Sequence, residues 1–175
     1  MAKLIFITGG ARSGKSRFAV NLAKQLAREI TFVATAVARD EEMRERIRRH
    51  QKDRPAHWRL VEEGKNLPLA LANLEVSCEL VVIDCLSFMI SNLLLDNKEE
   101  DDIIKQVSEI TDRVRRLTPI FIVVSNEVGS GVVPHTRLGR RFRDICGRAN
   151  QIMAEEAQEV YFMISGIPMK ISNNL

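Results

Sequence analysis

Residues 3–28 read KLIFITGGARSGKSRFAVNLAKQLAR and set the architecture of the chain. Residues 3–8 form an apolar run typical of a buried strand, and apolar residues recur at helical spacing over residues 15–28. The segment between them matches G-x-x-x-x-G-K followed by Ser or Thr, a phosphate-binding pattern that needs a preceding strand and a following helix. The stretch therefore predicts a strand, a phosphate-binding loop (P-loop) and a helix, and a protein that acts on a nucleoside triphosphate.

The residues of the P-loop have distinct chemical roles. Glycines let backbone N–H groups turn inward around a phosphate, at the positive end of the following helix. We expect Lys15 to reach the terminal phosphates and Ser16 to bind Mg²⁺. A chance Gly-rich turn is the alternative, but pattern and context agree against it. The predicted nucleotide-binding residues of this loop are Gly9, Gly10, Ala11, Arg12, Ser13, Gly14, Lys15 and Ser16.

Strand and helix patterns alternate along the rest of the chain. Apolar runs predict further strands at residues 30–35, 80–84, 119–125 and 160–165, with a short edge strand at 169–171. Helical patterns cover residues 86–95, 101–117 and 138–158, and a polar helix over 40–53 ends before Pro55. Alternation of this kind is typical of an α/β protein with a mainly parallel sheet flanked by helices. We expect one domain over residues 1–175, with a RecA-like P-loop NTPase fold.

Composition narrows the class of protein. Of the 175 residues, 45% are hydrophobic and 28% are charged, which is typical of a soluble domain. No apolar run reaches membrane-spanning length and no signal-peptide pattern opens the chain, so a cytoplasmic location is expected. Three cysteines without Cys-x-x-Cys spacing favour buried, reduced thiols over a disulfide framework or a zinc site.

Several acidic residues follow predicted strands, at the edge where open α/β sheets bind their ligands. Asp84 ends an apolar strand, the position of the acid that holds Mg²⁺ in P-loop proteins, although it can equally cap the next helix. The P-loop favours the Mg²⁺ interpretation. Glu62 or Glu63 follows the probable strand Trp58 to Val61, and Glu127 lies in the loop after the strand over 119–125. For each of them, a solvated surface position is at least as compatible with the spacing as a site.

His50 is open to two interpretations. It follows Met43 and Ile47 at helical intervals, so a buried structural histidine is one account. The other is an imidazole facing the site, which can attack an α-phosphate and carry a nucleotidyl group. His57 and His135 are weaker candidates, for which surface positions are expected.

Four blocks of sequence, taken together in this order, resemble one known family nearly end to end. They are residues 8–16; residues 40–58, with Glu42-Met43, Arg46-Ile47, His50 and Arg54-Pro55; Asp84-Cys85-Leu86 with Ser91-Asn92-Leu93-Leu94; and Ser125-Asn126-Glu127-Val128-Gly129, continuing to Asn150-Gln151. The chain resembles the bifunctional adenosylcobinamide kinase and adenosylcobinamide-phosphate guanylyltransferase family of cobalamin synthesis. The P-loop is common to many families, whereas the joint order of the blocks is highly specific.

The resemblance implies two reactions and assigns further residues. The first reaction is phosphorylation of the adenosylcobinamide hydroxyl with ATP or GTP. The second is transfer of GMP from GTP onto that phosphate through a GMP-carrying histidine, and His50 matches this histidine. It implies catalytic roles for His50 and Lys15, Mg²⁺ at Ser16 and Asp84, and a homo-oligomer, a trimer. It further implies that the nucleotide site includes Ala34, Thr35, Ala36, Gln51, Lys52, Asp53, Arg54, Glu62 and Asp84.

Two other functions compete with this interpretation. A small-molecule P-loop kinase with a structural His50 would transfer the γ-phosphate but never GMP. A RecA-like ATPase stimulated by nucleic acid is suggested by the basic segment over residues 44–59. Aromatic residues make up only 5% of the chain, so stacking platforms for bases are lacking and no nucleic-acid partner is expected.

Overall fold

A computed structural model describes residues 3–38, 40–41, 44–45, 47–48, 54–74 and 77–171. Its central strand, β1 (Leu4–Gly9), is buried along its whole length. Leu4 and Phe6 face one hydrophobic cluster, and Ile5 and Ile7 face another. A strand that is apolar on both faces belongs at the centre of a parallel sheet covered on both sides, as the sequence predicts.

Among the described residues, the sheet has seven strands in the order β3-β2-β4-β5-β1-β6-β7, and β1 to β6 run parallel. The strand β7 is an antiparallel edge strand beside β6. One strand, β5, separates the P-loop strand β1 from β4, which ends at Asp84. This confirms the mainly parallel sheet of a RecA-like fold. The remaining bounds are β2 (Ile30–Ala34), β3 (Arg59–Glu62), β4 (Leu80–Asp84), β5 (Ile120–Val124), β6 (Glu159–Ile164) and β7 (Ile167–Ile171).

Helices cover both faces of the sheet. On one face, α1 (Lys15–Leu26) packs Ala19, Val20 and Ala23 against the cluster that contains Ile5 and Ile7. The other face is covered by helices that bury their apolar stripes in the larger cluster around Phe6. These helices are α2 (Leu67–Ala72), α3 (Leu86–Leu95), α4 (Glu100–Arg116) and α5 (Arg137–Glu156).

Most predicted elements are present within two residues of their expected ends, and two points differ. The helix α2 was not predicted, although Asn66 caps it by accepting from the backbone of Leu69, and Pro68 lies in its first turn. Of the polar helix predicted over 40–53, the described residues Glu41, Arg44, Glu45, Ile47 and Arg48 are helical, and its other residues after Asp40 lie outside the described residues.

The cysteines and the helices agree with the expectations from composition. Cys78, Cys85 and Cys146 are buried thiols without a disulfide. Among the described residues, no helix combines the length and apolar character needed to cross a membrane.

Candidate functional site

The carboxyl ends of the parallel strands meet along one edge of the sheet. In the strand register, Glu62 pairs with Ala34, Ala34 with Asp84, and Asp84 with Val124. The P-loop leaves β1 at the same edge, because Ile7 also pairs with Val124. The residues predicted to bind the nucleotide from three different strands therefore form one row that leads to the P-loop.

Backbone conformation and close packing fix the P-loop. Gly14 caps α1 with a φ of 92°, in the left-handed region that favours glycine. A Cβ atom on Gly9, where φ is 149°, would lie 2.6 Å from the carbonyl oxygen of Met163 on β6. The far end of the loop is supported by the turn between β6 and β7, because the Gly166 N–H donates to the Ser13 carbonyl at 3.0 Å.

Lys15 lies under this loop with its side chain buried. Its ammonium donates to the carbonyl oxygens of Gly9 at 2.9 Å and Gly10 at 2.6 Å, and to Ser13 Oγ at 3.4 Å. Only 6% of the residue is exposed. The positive charge is therefore held at the loop rather than on a mobile surface chain, and is in position to neutralise phosphate charge.

Asp84 is half-buried at the end of β4. Every second residue of a strand points to the same face of the sheet, so Asp84 shares a face with Leu80 and Val82. These two residues pack on the α1 side, and Asp84 therefore lies on the side from which the P-loop enters its helix. Burial, followed by the charge of Asp84, raises the pKa of the neighbouring Cys85 thiol to about 12, while the Lys15 charge acts in the opposite direction. The thiol is thus protonated and unreactive, and both charges are close to it.

Thr35 holds the backbone that follows Asp84. Its hydroxyl accepts from the Cys85 N–H at 2.7 Å and donates to the Cys85 carbonyl at 2.6 Å. The Thr35 N–H donates to the Asp84 carbonyl at 3.2 Å, and the Thr35 carbonyl accepts from the Asn92 side chain at 2.9 Å. Since Thr35 is fully buried, these bonds form without competition from water.

We expect Thr35→Val to destabilise the protein by about 2–5 kcal/mol, because it leaves the buried N–H and C=O of Cys85 without their partner. Urea unfolding should show a lower midpoint with an unchanged slope. Thr118→Val is the matched control, since Thr118 is exposed and its substitution should change stability by less than about 0.5 kcal/mol. Equal stabilities of the Thr35→Val variant and the wild type would contradict this role.

A chain of polar side chains joins this segment to the loop after β5. The Asn126 amide donates to Ser87 Oγ at 2.8 Å, and Ser87 Oγ lies 3.1 Å from Cys85 Sγ. From α5, the Asn150 amide donates to the Asn126 carbonyl at 3.1 Å. The loop after β5 is therefore anchored to both α3 and α5, close to Asp84.

Three buried side-chain atoms at this edge have no hydrogen-bond partner among the described residues: Thr8 Oγ1, Ser125 Oγ and Asn150 Oδ1. Thr8 and Ser125 follow paired residues of neighbouring strands, since Ile7 pairs with Val124. Buried polar atoms without partners usually bind water or a ligand. The sheet edge beside the P-loop is thus polar beneath its surface.

Arg54 and Glu62 lie at the other end of the row. The Arg54 guanidinium lies 4.9 Å from the centre of the Phe32 ring, a cation–π contact. Burial lowers the pKa of Arg54, and the charge of Glu62 opposes that shift. The arginine remains protonated, and it presents a planar, charged group near the exposed end of β3.

The structure brings together part of the predicted site. His57 and His135 are exposed, as expected, and Glu62 is exposed at the end of β3. The predictions for His50, Gln51, Lys52 and Asp53 lie outside the described residues. The residues that meet at one edge are the P-loop residues together with Ala34, Thr35, Glu62 and Asp84. Ala36 follows Thr35 in the chain, and Arg54 contacts Phe32 of β2.

The donors suited to a metal are Ser16 and Asp84. No cluster of three or more His, Cys, Asp or Glu side chains that could hold a metal is present in the described ranges. Mg²⁺ in nucleotide sites takes one or two protein oxygens and completes its shell with waters and phosphates. A hydroxyl in the first turn of α1 and a carboxylate on the α1 side of the sheet supply the oxygen chemistry that this ion prefers.

Sequence reasoning assigned no role to the buried asparagines. Asn92 donates to the carbonyls of Thr35 and Gly64, each at 2.9 Å, and so joins the loops after β2 and β3. Its signal in the sequence is a polar side chain within the apolar helix LSFMISNLLL. An amide in such surroundings needs partners, and here they are the loops of the site.

Comparison with known protein families matches residues 5–171 to the family described as cobinamide kinase / cobinamide phosphate guanyltransferase (CobU). The chain belongs to this family. The matched segment runs from the second residue of β1 to the last residue of β7. The resemblance stated from the four sequence blocks is confirmed.

The similarity of this chain to curated proteins from three bacteria supports its membership of the cobinamide kinase / guanyltransferase family. The bifunctional adenosylcobalamin biosynthesis protein CobU of Escherichia coli K12 is 39% identical over 181 residues, covering 96% of this chain and 99% of the relative. Its counterpart in Salmonella typhimurium LT2 is 38% identical, with the same coverage. The bifunctional protein CobP of Pseudomonas aeruginosa PAO1 is 39% identical, covering 94% of this chain and 95% of the relative.

Proposed function

We propose that this chain is a bifunctional enzyme of adenosylcobalamin biosynthesis. In the first reaction it phosphorylates a hydroxyl of adenosylcobinamide with ATP or GTP. In the second it transfers GMP from GTP onto that phosphate, which gives adenosyl-GDP-cobinamide and pyrophosphate. The observation that carries the proposal is the family match over residues 5–171, which includes an intact P-loop with a buried lysine.

The described residues support triphosphate binding. Lys15 is held at the loop by three hydrogen bonds, and backbone N–H groups at the start of α1 supply further positive potential. We assign Mg²⁺ to Ser16 and Asp84, where a bound ion would neutralise phosphate charge. Both reactions develop negative charge on phosphate oxygens, and donors fixed before the reaction stabilise such charge most effectively.

His50 carries the second reaction in this proposal. An imidazole nitrogen attacks the α-phosphorus of GTP, pyrophosphate leaves, and GMP remains bound to the histidine until the acceptor phosphate removes it. Ala34, Thr35, Ala36, Arg54 and Glu62 are proposed to contact the nucleotide. Gln51, Lys52 and Asp53, which follow His50 in the sequence, are proposed to contact the nucleotide as well.

The intact mass of the wild-type protein tests the proposal. After incubation with GTP, the mass should rise by one GMP, and adding adenosylcobinamide phosphate should return it to the starting value. In a parallel reaction, label on the γ-phosphate of ATP or GTP should appear on adenosylcobinamide. Transfer of the γ-phosphate without any GMP adduct would instead identify a small-molecule kinase that has no guanylyl transfer.

Three broader properties belong to the same proposal. The protein is expected to form a homo-oligomer, a trimer. It is expected to act in the cytoplasm. No nucleic-acid partner and no membrane span are expected. Light scattering of the purified protein at several concentrations measures the oligomeric state.

A further inference from the structure

Glu127 follows β5, and its backbone N–H shares a hydrogen-bond acceptor with the Lys15 ammonium. The backbone ladder between β1 and β5 continues past the last residue of β5, because the Ser125 N–H donates to the Ile7 carbonyl and the Glu127 N–H donates to the Gly9 carbonyl, each at 2.9 Å. The same Gly9 oxygen accepts from the Lys15 ammonium at 2.9 Å. Two donors thus meet at one oxygen atom and fix the backbone of Glu127 next to the charge that is expected to contact the terminal phosphates.

The carboxylate of Glu127 is held by its own loop. Its Oε1 atom accepts from the Gly129 N–H at 2.5 Å, and the residue is half-buried. Burial raises the pKa of Cys146 on α5 to about 12, and the negative charge of Glu127 adds to this shift. The carboxylate is therefore close to α5 and keeps one oxygen for a further partner.

The sheet order gives this carboxylate a central position. Because β5 lies between β1 and β4, the loop that follows β5 leaves the sheet between the P-loop and Asp84. Asn126 faces the Asp84 side, where it contacts Ser87, and Glu127 is fixed to the P-loop side at Gly9. A phosphate bound at the P-loop therefore has Glu127 as a neighbour from the adjacent strand.

The two proposed reactions differ in what they need from a base. An acceptor hydroxyl must lose its proton as its oxygen attacks the γ-phosphorus, and a positioned carboxylate accelerates such a step by about 10²- to 10⁴-fold. The acceptor of GMP is a phosphate monoester that is already an anion at neutral pH. A general base is thus required for the kinase reaction and not for guanylyl transfer.

We propose that Glu127 is the general base of the kinase reaction, an inference that rests on the proposed function. The acceptor O–H bond breaks and its proton passes to a carboxylate oxygen of Glu127. The acceptor oxygen forms a bond to the γ-phosphorus, and the bond from that phosphorus to the β-phosphate oxygen breaks with its electron pair. Nucleoside diphosphate leaves, and the proton later returns to water.

Glu127→Gln tests this role, because glutamine keeps an oxygen that accepts from Gly129 and loses only the basicity. We expect kcat for phosphorylation of adenosylcobinamide to fall about 10²- to 10⁴-fold, with KM for both substrates little changed. Formation of the GMP adduct and its transfer to adenosylcobinamide phosphate should continue at the wild-type rate. Glu127→Asp, which keeps the carboxylate one methylene further back, should retain more kinase activity than Glu127→Gln.

Glu109→Gln serves as the matched control, since Glu109 is an exposed acid on α4. Wild-type kinase activity in Glu127→Gln would overturn the assignment. So would an equal loss of both reactions, which would indicate a role in the shared nucleotide site. A wild-type enzyme that phosphorylates no adenosylcobinamide would overturn the proposed function as well, so the two failures are distinguishable.

Discussion

His50→Ala is expected to abolish the GMP adduct and to lower guanylyl transfer by at least about 10³-fold, because alanine offers no nitrogen to attack the α-phosphorus. Phosphorylation of adenosylcobinamide should continue, since the γ-phosphate is attacked by the substrate hydroxyl and not by the enzyme. Label from the α-phosphate of GTP, recovered on the denatured protein, measures the adduct. A phosphoramidate bond to histidine is labile to acid and stable to base, which identifies the linkage.

The other two histidines provide the controls for this experiment. His57 and His135 are both exposed, and neither is placed in the site. His57→Ala and His135→Ala should form the adduct at the wild-type level. Label that persists in His50→Ala would show that a different nucleophile carries GMP.

Lys15→Met should lower kcat/KM for both reactions by about 10²- to 10³-fold. This is the usual effect of removing one positioned group that stabilises the negative charge of a transition state. Methionine approximates the length and volume of the aliphatic chain, so the buried space beneath the loop remains filled. The Gly9 carbonyl keeps its bond from the Glu127 N–H, and the loop is expected to stay folded. Initial rates of the two reactions, measured separately, check the prediction.

Lys24→Met is the control for charge, because Lys24 lies in the last turn of the same helix and is exposed. It should leave both rates unchanged. If Lys15→Met lost kinase activity and formed the GMP adduct normally, the two reactions would use different nucleotide sites. That outcome would contradict the proposal that one P-loop serves both reactions.

The sequence predicts the scaffold well because the scaffold depends on local patterns. The strand Leu80–Asp84 and the helix Leu86–Leu95 were predicted with the bounds that the structure has. Strands of a parallel sheet are apolar on both faces, which makes them distinct even without their neighbours. That residues 1–175 form a single domain stays a prediction.

The contacts that complete the site are less accessible from the sequence. The bonds of Asn92 to Thr35 and Gly64 span 57 and 28 positions, so no local pattern contains them. Glu127 was recognised as an acid after a strand, but only the strand order shows that β5 lies next to the P-loop strand. The short helix α2 was missed because six residues carry little periodicity, and its cap at Asn66 is the stronger signal.

The pairing of β1 has a consequence for how the protein is made. A ribosome synthesises residues 4–16 before their partners, because β1 pairs with β5 and β6, and the P-loop is supported from Gly166. These partners emerge more than a hundred residues later, and contacts between such distant positions form slowly. The proposed nucleotide-binding segment is thus translated before the strands that give it its shape, so substrate binding must await synthesis of the chain through Gly166.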